Sequence, residues 1–104
     1  MMSLSVSGFE WDAGNRDKCR KHGVSHAAIE SVFGGPVSVF PDPRHSDAEV
    51  RFKAVGRTKT GRAVLVVFTL RPGTDGTRIR PISARFMHRK EIAHYEEEAP
   101  RSDQ

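Results

Sequence analysis

The chain has 104 residues, of which 37% are hydrophobic and 29% are charged, so it can build one modest core and is too short for two. Its longest apolar run, 63–68, is far below the ~20 residues that cross a bilayer, and its one cysteine, Cys19, excludes an intramolecular disulfide and a multi-thiolate metal site. The 17 Lys and Arg exceed the 13 Asp and Glu, and the stretch 44–95 holds 12 of the basic residues against 4 acidic ones, so an anion would be attracted to that stretch.

Two helices are predicted near the N-terminus. After a short alternating piece at 9–12, Asp12 is a good N-cap and Gly23 suits the left-handed position beyond a helix end, which predicts a first helix over about 13–22. Ser25 is the N-cap of a second, amphipathic helix with apolar residues at 28, 29, 32 and 33, and Gly34 ends it.

From residue 37 onward, the hydrophobic pattern changes to a period of two. It predicts strands at 37–40, 49–57, 62–70 and 77–85, with hairpin loops at 58–61 and 71–76. Pro81 cannot donate to a ladder, so the last strand is bulged there or lies at an edge. A helix at about 89–97, with Ile92 and Tyr95 on its inner face, closes the domain, and 98–104 is expected to be a disordered tail. The predicted fold is α+β, with two N-terminal helices, a three- to four-stranded antiparallel sheet and a C-terminal helix.

Neither a metal site nor a nucleotide cofactor is indicated. His22 and His26 are four residues apart, but Gly23 and the Ser25 cap place them in different elements. Cys19 has no accompanying His-Asn/Asp pattern, which favours a small buried hydrophobe over a nucleophile. Walker and dinucleotide glycine motifs are absent from the sequence, so we expect no cofactor.

The remaining candidate site is a set of strand residues: Glu49, Arg51 and Arg57 on the polar face of one strand, and Arg78 and Arg80 on one face of the last. Arg85 has the opposite parity unless a bulge at Pro81 shifts the register. Arginines beside an acid or imidazole suit metal-free RNA cleavage, in which a base deprotonates the 2′-hydroxyl, an acid protonates the leaving oxygen and guanidiniums stabilise the phosphate charge. The same positions also suit an ordinary solvated strand face, where an ion pair contributes under ~1 kcal/mol.

Ordered pieces of the chain resemble the BrnT family of toxins. The pieces are Phe9-Glu10-Trp11-Asp12, Lys21-His22-Gly23-Val24-Ser25, Glu49-Val50-Arg51-Phe52, Val55-Gly56-Arg57 with Gly61-Arg62, Arg80-Pro81-Ile82-Ser83-Ala84-Arg85, and Arg89-Lys90-Glu91 with Tyr95-Glu96. The resemblance runs in order from about residue 9 to residue 97 and implies a single RelE-like domain over 1–104. It also implies a cofactor-free ribonuclease that is held inactive by an antitoxin, BrnA, encoded in the adjacent frame. In such systems the complex contacts operator DNA mainly through the antitoxin.

Carried onto these positions, the resemblance implies that Arg51, Arg80 and Arg85 contact the phosphate and the transition state, with Glu49 or His22 as the base. The residues expected to hold RNA are Lys21, Arg57, Arg62, Arg78 and Tyr95. Two residues of the closing helix also have structural interpretations. Glu91 fits a helix-start residue, and Tyr95 fits either the core or a base-stacking platform.

Two functions follow. The first is a ribonuclease toxin that cleaves mRNA without a metal and inhibits translation, and the second is a non-catalytic nucleic-acid-binding or operon-regulating protein that still binds the antitoxin. The N-terminus lacks the basic start and apolar stretch of a secretory signal, so we expect a cytoplasmic protein with no membrane partner.

Overall fold

A computed structural model describes residues 6–43 and 49–98, without the side chains of residues 97 and 98. Its elements are β1 (Gly8–Phe9), α1 (Ala13–Arg20), α2 (His26–Phe33), β2 (Val37–Pro41), β3 (Phe52–Arg57), β4 (Ala63–Gly73), β5 (Gly76–Phe86) and α3 (Arg89–Glu98). Among these residues, no helix is long and apolar enough to cross a membrane. Of the tail predicted at 98–104, only Glu98, the last residue of α3, lies within the described residues.

The strands form one mixed sheet in the order β1-β5-β4-β3-β2. Strands β2 to β5 are antiparallel neighbours, as the alternating pattern predicts. The prediction of a purely antiparallel sheet with three or four strands is wrong, because β1 adds a fifth strand that pairs parallel to β5 through Gly8 and Phe9. A two-residue strand is too short to show a period, so only its pairing with Arg78 and Ile79 reveals it.

The strand boundaries that differ most from the predictions are the start of β3 and the end of β4. β3 begins at Phe52, so Glu49 and Arg51 lie before the strand and not on it as predicted. The segment from Glu49 to Arg51 forms other hydrogen bonds. The Thr69 hydroxyl donates to the Val50 carbonyl, and the Asp42 N–H donates to the Arg51 carbonyl. The loop predicted at 71–76 is also shorter than expected, because β4 continues to Gly73 and pairs there with Gly76.

The helix caps follow the predictions closely. The Asp12 carboxylate accepts the Asn15 N–H at 3.1 Å, and the Asn15 side chain accepts the Asp12 N–H at 2.7 Å, which closes a capping box. Ser25 caps α2 by accepting the Ala28 N–H. α1 ends at Arg20, two residues earlier than predicted, so Lys21 and His22 lie in a turn that closes at Gly23 with φ +84°.

The sheet separates two layers of helices. Val64, Val66 and Phe68 of β4 point to one face, here called the α2 face, where they pack with buried Ile29 and Val32 of α2. Gly56 permits this packing, because a Cβ at that position would lie 3.0 Å from Val32 Cγ1. Cys19 is fully buried in the same core, as predicted, and burial raises the pKa of its thiol to about 11.

The opposite face of the sheet, here called the α3 face, carries Leu65, Val67 and Thr69 of β4. Phe40, which belongs to this face through its pairing with Lys53, lies with its ring centroid 5.3 Å from that of Tyr95 on α3. The α3 helix therefore covers one end of this face, and the candidate site lies beside it.

Candidate active site

A bulge in β5 decides which arginines share a face. Phe68 pairs with Pro81 and Val67 pairs with Ser83, so Ile82 is an extra residue in the ladder. Beyond the bulge Arg85 pairs with Leu65, and before it Arg80 pairs with Thr69. Since directly paired residues point to the same side, the extra residue brings Arg85 onto the α3 face with Arg80. Of the two alternatives predicted for Pro81, a bulge or an edge strand, the structure shows the bulge, because β5 lies between β1 and β4.

Arg85 is held by a carboxylate from α3. Its Nη1 and Nη2 donate to the two oxygens of Glu91 at 2.7 and 2.5 Å, which is a bidentate charge-assisted pair. The hydrogen bonds from Arg85 lower the pKa of Glu91 below its usual value, and Glu91 raises the pKa of Arg85 in return. The Arg85 guanidinium is therefore a fixed cation whose side chain is still 41% exposed.

Beside Arg85 is a cavity of about 320 Å³, here called the Arg85 cavity. It is lined by His22, Asp42, Lys53, Leu65, Val67, Ser83, Ala84, Arg85 and Tyr95. Three of the predicted site residues meet here, namely His22 from the turn after α1, Arg85 from β5 and Tyr95 from α3. An imidazole, a guanidinium and a phenol around one cavity are groups that can transfer protons and bind a phosphate.

Three polar residues of the Arg85 cavity were not predicted. Lys53 lies on the charged side of the predicted second strand, between Arg51 and Arg57, so the alternation contained a signal for it. Asp42 is only 2% exposed and is an acid at the cavity wall, yet nothing in its loop sequence indicates this. Ser83 reaches the α3 face only through the bulge.

The other predicted catalytic residues form a separate group, here called the Arg80 cluster. It lines a smaller cavity of about 200 Å³ made by Gly14, Asn15, Lys18, Glu49, Arg51, Arg71, Arg80 and Ile82. Glu49 lies 3.2 Å from Arg71, and so it pairs with an arginine that was predicted to lie in a loop. The structure therefore divides the predicted catalytic set into two groups, with Glu49, Arg51 and Arg80 in one and Arg85 and His22 in the other.

Arg80 links β5 to the start of α1. Its Nη1 donates to Asp12 at 2.8 Å and to Glu10 at 3.1 Å, and its side chain is only 18% exposed. The hydrogen bond from Arg80 is the main reason that the pKa of Asp12 lies below its usual value. The guanidinium that was predicted to contact phosphate is therefore paired with two carboxylates.

Replacing Arg80 with glutamine is expected to lower the free energy of unfolding at pH 7 and to have a smaller effect at pH 2. The folded-state pKa of Asp12 is depressed below 3.8, so its pairing stabilises the fold above that pH and the contribution is lost as pH falls through the lowered value. Urea unfolding at both pH values measures this, with R20Q as the control because its partner Asp17 is highly exposed. An R80Q effect that is equal at both pH values contradicts the prediction.

The remaining predicted RNA-binding residues are dispersed. Arg62 lies over the Phe86 ring on the α2 face, with its guanidinium carbon 3.4 Å from the centroid. Arg57 donates to the Gly61 carbonyl within the β3–β4 hairpin, and Arg78 lies 3.5 Å from Asp75 at the β4–β5 turn. Lys21 is exposed in the turn after α1.

The comparison with known families decides the identity of the chain. A family model described as ribonuclease toxin, BrnT, of type II toxin-antitoxin system matches residues 11–91. This chain belongs to the BrnT family. A comparison with curated proteins finds no match.

Residues of both cavities lie within the range that matches the BrnT family. The matched range, 11–91, contains Arg85 with its partner Glu91, and it contains the Arg80 cluster. A ribonuclease toxin of a type II system has an RNA target and an antitoxin partner. Within the described ranges, the BrnT fold brings together no group of three or more His, Cys, Asp and Glu placed to hold a metal ion.

Proposed function

We propose that this chain is an endoribonuclease that cleaves mRNA without a metal ion, thereby inhibits translation, and is neutralised by a BrnA-like antitoxin encoded in the adjacent frame. The observation that carries the proposal is the Arg85 cavity, where a fixed guanidinium meets His22, Lys53 and Tyr95. These side chains supply the charge and the proton-transfer groups that phosphodiester cleavage needs.

The reaction is transesterification by the RNA 2′-hydroxyl. A base removes the proton of the 2′-hydroxyl, whose oxygen forms a bond to phosphorus while the bond to the 5′-oxygen breaks, and an acid protonates that leaving oxygen. The products are a 2′,3′-cyclic phosphate and a 5′-hydroxyl end. Arg85 stabilises the negative charge that builds on the phosphoryl oxygens, because its donors are preorganised.

His22 fits the role of base better than Glu49. His22 lines the Arg85 cavity, and the nitrogens of an imidazole ring can accept and donate a proton. Glu49 lies in the Arg80 cluster, where it pairs with Arg71. Tyr95 offers an aromatic surface against which an RNA nucleobase can stack, and its ring lies 5.3 Å from that of Phe40 in a tilted contact.

We further propose that the fold is RelE-like and that the protein acts in the cytoplasm, where its RNA target and its antitoxin are made. The two N-terminal helices, the antiparallel strands β2 to β5 and the closing α3 support the fold proposal. Contact with operator DNA is expected only through the complex with the antitoxin.

The test is cleavage of a labelled single-stranded RNA by the purified chain in excess EDTA. We expect fragments that end in a 2′,3′-cyclic phosphate, and no cleavage of the same RNA carrying 2′-O-methyl groups, because the nucleophile is then blocked. A requirement for added metal, or fragments with 5′-phosphate ends, contradicts the proposal. Salt-sensitive RNA binding without cleavage would support the non-catalytic alternative instead.

A further inference from the structure

The Glu91 carboxylate makes contacts in two directions. Toward the sheet it accepts two hydrogen bonds from Arg85, and toward its own helix it accepts the His88 N–H at 3.3 Å. The helix contact is half of a capping box, which is the role that the sequence alone suggests. The two bonds to Arg85 are much shorter, at 2.7 and 2.5 Å, so Arg85 is the principal partner.

The pairing leaves part of Arg85 available. A guanidinium has five N–H donors, and the two bonds to Glu91 use one on each Nη, which leaves the Nε–H and one N–H on each Nη. Arg85 lines the cavity and its side chain is 41% exposed, whereas Glu91 is 24% exposed and is not among the lining residues. Glu91 therefore pairs with the end of the guanidinium without lining the cavity, and the remaining donors, along the sides of the guanidinium, can bind a phosphate at the same time.

We propose that Glu91 is a positioning residue for RNA cleavage, which fixes the plane of the Arg85 guanidinium so that its remaining donors are aimed at the scissile phosphate. This inference rests on the proposed ribonuclease function. Both Nη groups of Arg85 donate to the Glu91 carboxylate. The planar guanidinium therefore cannot rotate about its Nε–Cζ bond without breaking both hydrogen bonds. Its donors are thus oriented before the transition state forms, and preorganisation of this kind raises the reaction rate.

The Glu91 carboxylate is also expected to weaken RNA binding, although it raises the reaction rate. Its negative charge lies within hydrogen-bonding distance of Arg85 and offsets the attraction between that arginine and an RNA phosphate in the ground state. Removal of the charge is therefore expected to leave RNA affinity unchanged or to increase it, while the rate falls. A residue that only supports the fold would not separate the two quantities in this way.

The deciding variant is E91Q, which keeps the length of the side chain and an oxygen that can accept the His88 N–H, and removes the charged pairing. We expect kcat for RNA cleavage to fall by roughly tenfold to a hundredfold, with the Kd for a 2′-O-methyl RNA unchanged or lower. The matched control is E96Q on the same helix, because Glu96 is exposed and lies 3.8 Å from Arg57. Its kcat is expected to stay at the wild-type value, because neither Glu96 nor Arg57 lines the Arg85 cavity.

A second measurement tests the pair between Arg85 and Glu91 and does not depend on catalysis. In protein with ¹⁵N-labelled arginine, the Nη groups of Arg85 should give separate NMR signals, because the bidentate pair slows rotation about the Cζ–N bonds. In E91Q these signals should merge, whereas they stay separate in E96Q. Merged signals already in the wild type would overturn the inference, since the pair would then not hold Arg85 in solution.

The possible outcomes separate this inference from the proposed function. If the wild type cleaves RNA and folded E91Q cleaves it equally fast, the positioning role is wrong and the ribonuclease function stands. If kcat falls and Kd rises together in E91Q, Glu91 has only a structural role. If E91Q cleaves RNA faster than the wild type, Glu91 restrains the reaction. Each of these two results also overturns the positioning role. A wild type that binds RNA and never cleaves it overturns the proposed function itself.

Discussion

Replacing Arg85 with alanine is expected to slow RNA cleavage by roughly two to three orders of magnitude. Arg85 is the arginine that lines the same cavity as His22 and Tyr95, and its donors are preorganised by Glu91. Alanine removes both the positive charge and the directed hydrogen bonds at the phosphate. The measurement is the single-turnover rate on a labelled RNA, with growth and total RNA integrity followed after induced expression in a bacterial host.

Three controls make the Arg85 result interpretable. R20A removes an exposed arginine of α1 that pairs with Asp17, and it is expected to cleave at the wild-type rate. R85K keeps the charge without the planar fork, so an intermediate rate is expected. Urea unfolding of each variant tests whether the fold is retained. A folded R85A that cleaves RNA and arrests growth like the wild type would contradict the proposed role of Arg85.

Replacing Phe68 with alanine is expected to lower the free energy of unfolding by roughly 3–5 kcal/mol. Phe68 is fully buried on the α2 face, and its ring centroid lies 5.2 Å from that of Phe33 and 5.5 Å from that of Phe52. The truncation leaves a cavity between α2 and the sheet. Since domains of this size are stable by only about 5–15 kcal/mol, the loss is a large part of the total.

Urea unfolding at neutral pH measures the Phe68 effect, with V50A as the matched control. Val50 is 64% exposed, so its truncation is expected to change the free energy of unfolding by less than about 0.5 kcal/mol. The Phe68 position also affects the site, because its strand neighbours Val67 and Thr69 lie on the α3 face. A loss below about 1 kcal/mol for F68A would show that the core does not depend on this ring.

The candidate site was predictable only in part. Arg85, His22 and Tyr95 were all identified from the sequence, and they meet at one cavity. Lys53, Asp42 and Ser83 also line that cavity and were missed. Arg80 was expected to contact phosphate, but Glu10 and Asp12 hold it at the start of α1. Spacing along a strand shows which side a residue faces, and it does not show which acid from another element will pair with it.

The sequence by itself determined the features that depend on neighbours a few residues away. The caps at Asp12 and Ser25 are examples, because each is made with a backbone N–H three residues further on. The alternation in β3 is another, since the pleat sends successive side chains to opposite faces. The ordered motifs likewise sufficed to indicate the BrnT family, to which the match over 11–91 assigns the chain.

Only the tertiary structure decided the features that join distant parts of the chain. The face on which Arg85 lies depends on how β5 pairs with β4 across the bulge at Ile82. The β1 strand exists only through its pairing with β5, and the ion pair between Glu10 and Arg80 spans 70 residues. The bidentate pair between Arg85 and Glu91 forms because the chain turns from β5 into α3 and directs Glu91 back toward the sheet. Pairings of this kind depend on the register and packing of whole elements, which local spacing does not specify.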